Sequence, residues 1–161
     1  MTTKIQINDE ESIEVSSVLT GMEEGFSAPR EYNNVFAVTV TNGGVAETFD
    51  YHISVHDTEG GYCPSIQTTL LYGAVMKGEN GKKKLTDADH IFAFYCFLGD
   101  AISGSQSFEV FCDEMGYDED SRKAEKIWKA CQEATQKADN LSIGDLYQVS
   151  NYIQEKYPDE V

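Results

Sequence analysis

The stretch VFAVTVT-NGG-VAETFDYHISVH, running from Val35 to His56, decides how the first half of this chain folds. Val35 to Thr41 is rich in β-branched residues. From Val45 onward Phe49, Tyr51, Ile53 and Val55 fall on one face, while Asp50, His52, Ser54 and His56 fall on the other. A period of two with one apolar side marks a half-buried strand. Asn42-Gly43-Gly44 stands between the two arms, and residues that accept positive φ let antiparallel strands reverse within a tight turn. The reading is a hairpin with its turn at 42–44. Upstream, Ile5 and Ile7 alternate with polar residues, and Ile13 and Val15 repeat the alternation. Residues 1–62 are therefore expected to form a small antiparallel sheet.

From Pro64 the period changes from two to that of a helix. Ser65 to Lys77 carries Ile66, Leu70, Leu71, Ala74 and Val75 at helical spacing, with Pro64 where a first turn tolerates it. Gly78 to Lys84 reads as a loop, and Thr86 with Asp89 three residues later resembles a capping box. The helix it opens holds Ile91 to Leu98, apolar around nearly its whole circumference, and so belongs in the middle of the fold. After a loop at Ser103-Gly104-Ser105, Ser107 caps a short helix with Phe108, Phe111, Cys112 and Met115 on one side and Gly116 as its stop. Ser121 to about Asp139 is the longest helix, capped by Asp120 or Ser121, with Ala124, Ile127, Trp128, Cys131, Thr135 and Ala138 as its buried stripe. A last helix, capped by Ser142, uses Ile143, Leu146, Tyr147, Ile153 and Tyr157. The expected fold class is α+β: the sheet of residues 1–62, then about five packed helices in residues 63–161, forming one domain.

The 161 residues include 28 acidic and 12 basic side chains, a net charge of −16 with a pI near 4.3. Such a chain is repelled by nucleic acid and by anionic lipid, whose binding requires Lys and Arg. An apolar fraction of 40% with 11% aromatic separates it from disordered acidic tails. The charge is uneven. Residues 1–60 hold 11 acids and 2 bases, residues 61–100 hold 4 of each, and residues 101–161 hold 13 and 6. The acids concentrate in Asp9, Glu10 and Glu11 with Glu14, in Glu23 and Glu24, and in Asp113, Glu114, Asp118, Glu119 and Asp120. Runs of this kind solvate a surface; they also imitate a phosphate backbone when their spacing matches it.

The sequence carries few patterns of known site chemistry. His52 and His56 lie four apart on a strand, about 13 Å from each other, too far to share a metal with Cys63. His90 has no partner at i+4 and reads as a surface or packing histidine. Gly78 and Gly81 are separated by two residues where a phosphate loop needs four, and Lys83 stands where Ser or Thr would hold magnesium. Asp118-Glu119-Asp120 lacks the Gly and Glu of a calcium loop, Lys123 and Lys129 standing in their places. The four cysteines form no C-x-x-C pair, and three lie on apolar helix stripes, where a reduced thiol behaves as a small hydrophobe. No catalytic residue, metal site or cofactor is expected. Without a signal-peptide run or an apolar stretch of about 18 residues, the expected location is the cytoplasm.

The segment Ser107-Phe108-Glu109-Val110-Phe111-Cys112-Asp113-Glu114-Met115-Gly116-Tyr117-Asp118-Glu119-Asp120-Ser121-Arg122-Lys123-Ala124-Glu125 resembles one that recurs in small phage and prophage proteins, mostly of unassigned function. The similarity continues through Ile127-Trp128-Lys129-Ala130-Cys131-Gln132 and covers about a quarter of the chain. The resemblance implies a phage setting, hence the cytoplasm of a bacterial host. Together with the acidity it leads to an expected role: a non-catalytic inhibitor of a host defence system, of the anti-CRISPR or anti-restriction kind. Its partner would be a protein whose basic nucleic-acid-binding groove accepts Asp113, Glu114, Asp118, Glu119 and Asp120, with Asp9, Glu10 and Glu11 as a second group. The alternative is a phage accessory or assembly protein that binds a protein partner through an apolar surface, its acidity serving solubility alone.

Overall fold

The structure is a computed structural model that describes residues 1–24, 30–57 and 85–161, and of residues 22–24, 30–34 and 53–57 the backbone alone. The expected helix over Ser65–Lys77, the Gly78–Lys84 loop and Cys63 lie outside the described residues.

Four strands, β1 (Thr2–Gln6), β2 (Ser12–Glu24), β3 (Arg30–Asn42) and β4 (Val45–Asp57), pair in sequence order as an antiparallel meander. The hairpin is built as the sequence predicts, with one shift. Asn42 pairs with Val45, so the two turn residues are Gly43 and Gly44, with φ of 57° and 85°. Two successive positive φ values match the twist of the flanking strands, and glycine reaches them without a Cβ penalty. Asn42 does different work: its side-chain amide donates to the Leu141 carbonyl at 2.8 Å and ties the hairpin to a helix end. On β2 a bulge between Leu19 and Gly21 leaves Thr20 extra, and its hydroxyl donates to the Val35 carbonyl.

Alternation sorts the sheet into two faces. Ile5, Ile13, Val15, Phe36, Val38, Val40 and Tyr51 are buried on the covered face. The other face carries Thr2, Ser16, Thr39 and Thr48 in a register row, with the Thr39 and Thr48 hydroxyls 2.8 Å apart. Among the described residues this face is largely polar, with Val18 exposed on it.

Four helices follow among the described residues: α1 (Asp87–Gly104), α2 (Phe108–Met115), α3 (Arg122–Leu141) and α4 (Leu146–Lys156). The capping box of α1 is present, with the Asp89 amide donating to Thr86 Oγ1 and the Thr86 amide to Asp89 Oδ2. As its apolar circumference predicts, α1 is central, packed on the sheet, on α3 and on α4. Phe97 stacks on Phe49 of β4 at 4.7 Å.

The region 103–105 is not a loop, because α1 runs through Gly104. Gly104 is buried where α1 crosses α3, and a Cβ there would lie 2.1 Å from the Cys131 carbonyl oxygen. Thr135 of α3 seals the same crossing by donating to the Ala101 carbonyl at 2.6 Å.

Ser107 caps α2, Gly116 stops it in the left-handed region at φ 74°, and Ser121 rather than Asp120 caps α3. Ser142 is not the cap of the last helix. It ends α3 at φ 53°, while Asp145 accepts from the Gln148 amide to open α4. Tyr147 and Met115, expected in apolar stripes, are exposed.

The main core joins sheet and helices through Ile5, Ile13, Phe36, Phe94, Leu98, Ala138, Leu141 and Ile153. A smaller cluster of Phe111, Cys112, Ala124 and Cys131, flanked by Phe108, Tyr117, Ile127 and Trp128, sits under the α2–α3 junction. Cys112 and Cys131 are buried within it. Burial and the nearby Asp100 carboxylate push the Cys131 thiol up to about 11, so it stays protonated and inert. No helix among the described residues is long and apolar enough to cross a membrane.

Candidate functional site

The carboxylates singled out by the sequence occupy two places. At the α2–α3 junction the left-handed Gly116 turns the chain outward, and the Tyr117 ring packs against Phe111 at 6.3 Å. The Ser121 amide then donates to the Asp118 carbonyl and closes a turn that leads into the helix cap. This geometry leaves Asp113, Glu114, Asp118, Glu119 and Asp120 all exposed. Glu114 accepts from the Gln106 amide at 2.9 Å. Asp118, Glu119 and Asp120 precede the first turn of α3, where the positive end of the helix dipole favours negative charge.

The other group is the β1–β2 connection. Asn8 Oδ1 accepts from the Glu10 and Glu11 amides at 2.9 and 2.7 Å, and the Ile7 amide donates to the Glu11 carbonyl. This Asx turn holds Asp9, Glu10 and Glu11 outward. Tyr152 on α4 donates its hydroxyl to Asp9 at 3.3 Å. Between this turn and the α3–α4 connection lies an open cleft of about 520 Å³, bordered by Asn8, Glu11, Ser142, Asp145, Gln148 and Tyr152.

Helix α3 measures the separation. It has 20 residues, a length of about 30 Å at 1.5 Å per residue. Asp120 lies just before its start, and the cleft beside Glu11 is walled by the residues just after its end. The two groups therefore stand at opposite ends of one helix. Between them α3 itself is mildly basic, with Arg122, Lys123, Lys126, Lys129 and Lys137 against Glu125, Glu133 and Asp139. Among the described residues the one ion pair, Lys129 with Glu125 at 3.1 Å, lies on this helix, so the carboxylates of both end groups are free of ion pairs there.

The interior holds a polar cluster the sequence reading did not find. His90 is 1% exposed, and both of its ring nitrogens are engaged. Nδ1 lies 2.8 Å from Thr3 Oγ1 and Nε2 lies 2.7 Å from Ser17 Oγ, while the Thr3 hydroxyl donates to Asp87 Oδ1 at 2.5 Å. His90 is thus a packing histidine, as one of its two sequence readings had it, but one that links β1, β2 and α1. Burial pushes its pKa below the ordinary imidazole value. Asp89 and Asp87 pull upward without prevailing, and the Met1 amino group adds to the lowering.

Among the described residues no three His, Cys, Asp or Glu side chains are placed to hold a metal ion. His52 is exposed, and the side chain of His56 lies outside those described. The sequence reading did not mark the Asx turn, although Asn8 ahead of Asp9-Glu10-Glu11 is a residue type that forms one. The cleft was not, because it joins residues 7–11 to residues 142–152. No protein-family model, no curated protein and no solved structure matches this chain.

Proposed function

We propose that this chain is a phage-encoded, non-catalytic inhibitor of a host defence system, of the anti-CRISPR or anti-restriction kind, that occupies a basic nucleic-acid-binding groove on its protein partner. The observation that carries the reading is that two exposed carboxylate groups stand near opposite ends of α3, a helix about 30 Å long. One turn of duplex DNA spans about 34–36 Å, so the two groups match points about one turn apart on a groove built for duplex. Because α3 is mildly basic between them, the imitation is of two patches and not of a continuous backbone. The phage setting is supported by the resemblance of Ser107–Glu125 alone.

Electrostatic attachment of this kind steers association and weakens as salt screens it. Binding to a CRISPR effector or a restriction complex should therefore be measured at two salt concentrations, with the unaltered chain and with Asp118, Glu119 and Asp120 each changed to Lys. The expected outcome is a loss of affinity both on raising salt and on reversing charge. Unchanged affinity in both arms removes the reading.

A second reading is favoured by one local feature. Val110 and Met115 of α2 are 45% and 52% exposed beside Asp113 and Glu114. A phage accessory or assembly protein could dock an apolar partner there, its acidity serving solubility. Binding that persists at high salt and falls with Val110→Ser and Met115→Ser selects this reading over the first, because apolar contacts are not screened.

A further inference from the structure

The hydrogen bonds around His90 have a direction. A carboxylate only accepts, so the Thr3 hydroxyl donates to Asp87, and the Thr3 oxygen is left to accept from His90. Nδ1 therefore carries the ring proton and Nε2 is bare, facing Ser17 Oγ at 2.7 Å as a base. The order is hydroxyl, imidazole, hydroxyl, carboxylate. It is the logic by which a base activates a serine, with Thr3 inserted between the imidazole and the acid that orients it. Exposure follows the chain: the ring is sealed from water, while Ser17 is partly exposed and Asp87 is exposed.

We propose that Ser17 is a base-activated nucleophile toward acyl and phosphoryl electrophiles, with His90 as its general base and Thr3 and Asp87 as positioning residues. In the step, the Ser17 oxygen forms a bond to the acyl carbon or phosphorus as the leaving group departs with the electron pair of its own bond. The Ser17 proton passes to Nε2 and from there to the leaving group. With an ester, water then hydrolyses the acyl-serine and regenerates the hydroxyl; with a fluorophosphonate, fluoride departs and the adduct persists. The site is separate from the acidic surfaces: 'non-catalytic' describes how the inhibitor acts on its partner, which makes no use of Ser17, so this proposal stands or falls apart from the inhibitor reading.

The test treats the full chain with a fluorophosphonate probe across pH 5–9 and locates the adduct by peptide mass spectrometry. The expected result is a single adduct on Ser17 whose rate rises with pH and is level by about pH 7, because the base is neutral there. The groups that set this profile are Asp87 and Asp89 on α1 and the amino end of β1, with Ser17 facing the ring from β2. An unactivated serine would instead gain about tenfold for each pH unit, following hydroxide.

Ser17→Ala abolishes labelling, and His90→Gln lowers its rate about a hundredfold, within the range of general-base effects. Thr3→Val, which keeps the shape and removes the relay hydroxyl, is expected to slow labelling about tenfold, with Thr3→Ser restoring it; this arm holds even where His90→Gln does not fold. No adduct at Ser17 on the folded chain, or a rate that Thr3→Val leaves unchanged, overturns the proposal.

Discussion

The acidic turn at Asp9–Glu11 and the acidic junction at Asp113–Asp120 carry similar charge but are mounted on different supports. The turn grows out of β1 and β2, whose Ile5, Ile13 and Val15 lie in the main core together with Ile7 of the connection, and it is tied by Asn8 to its own backbone and by Tyr152 to α4. The junction rests on a cluster of four buried residues with partly buried aromatics at its edge. Local stability follows buried apolar contact, so the junction should open at lower cost than the turn. One chain thus presents the same chemistry once on a firm base and once on a lighter one, with α3 as the bar between them.

The largest perturbation should bring both ends down together. Gly104→Ala places a methyl group where the Cys131 carbonyl stands, so α1 and α3 must separate. Helix propensity alone would favour the change by about 1 kcal/mol. Overpacking against backbone costs more, and a net loss above about 3 kcal/mol is expected in urea denaturation. A gain in stability would show that α1 and α3 cross with room for a methyl group at Gly104.

The next change should separate the two ends. Phe111→Ala removes the largest fully buried side chain of the small cluster and should cost about 3 kcal/mol, the lower end of such truncations, because a small cluster collapses more readily. Trp128, the only tryptophan, lies 5.3 Å from Phe108 in that cluster and reports on it by fluorescence. Its emission should shift red while far-ultraviolet dichroism retains the sheet. Simultaneous loss of both signals would mean that the two cores form one cooperative unit.

Acidification should act on the turn's side of the molecule, where His90 bridges β1, β2 and α1. Its folded pKa lies below the unfolded value of about 6.5, so as pH falls the unfolded chain takes up the proton first. Stability from this group is complete above about 6.5 and is lost as pH falls toward the folded value, at up to about 1.4 kcal/mol per pH unit. Denaturation midpoints at pH 7 and pH 5 should therefore converge in His90→Gln relative to the unaltered chain. An equal slope in both would assign the loss to carboxylates elsewhere.

The smallest effect compares the caps. Ser121 opens α3 beside the junction and Asp145 opens α4 beside the cleft, each accepting one amide at 3.1 and 3.0 Å. Each change to Ala should cost about 1 kcal/mol. The two should add within error, being at opposite ends of a helix. Non-additivity would reveal coupling along α3.

Much of this architecture was legible in the residues themselves. Local rules concern neighbours in sequence, and they held where only neighbours mattered: the alternation that built the sheet, the Thr86–Asp89 capping box, the Ser107 cap and the Gly116 stop. The reading failed where a distant partner decided. Ser103-Gly104-Ser105 has the composition of a loop, yet Gly104 is helical because α3 approaches its Cα too closely for any side chain. Ser142 has the composition of an N-cap, but it follows Leu141 in a left-handed turn, and the capping oxygen comes from Asp145.

The sequence by itself determined the sign and the clustering of the charge, the α+β class and the strand periodicity, because each depends on residue type and local spacing. Only the tertiary structure decided that the two acidic groups stand near opposite ends of α3, a helix about 30 Å long. It alone joined Asn8 and Glu11 to Asp145 and Tyr152 around one cleft, and Ser17, Thr3 and Asp87 to one buried imidazole. Those arrangements join residues more than 70 positions apart, and the burial of apolar surface that brings them together leaves no local signature in the chain.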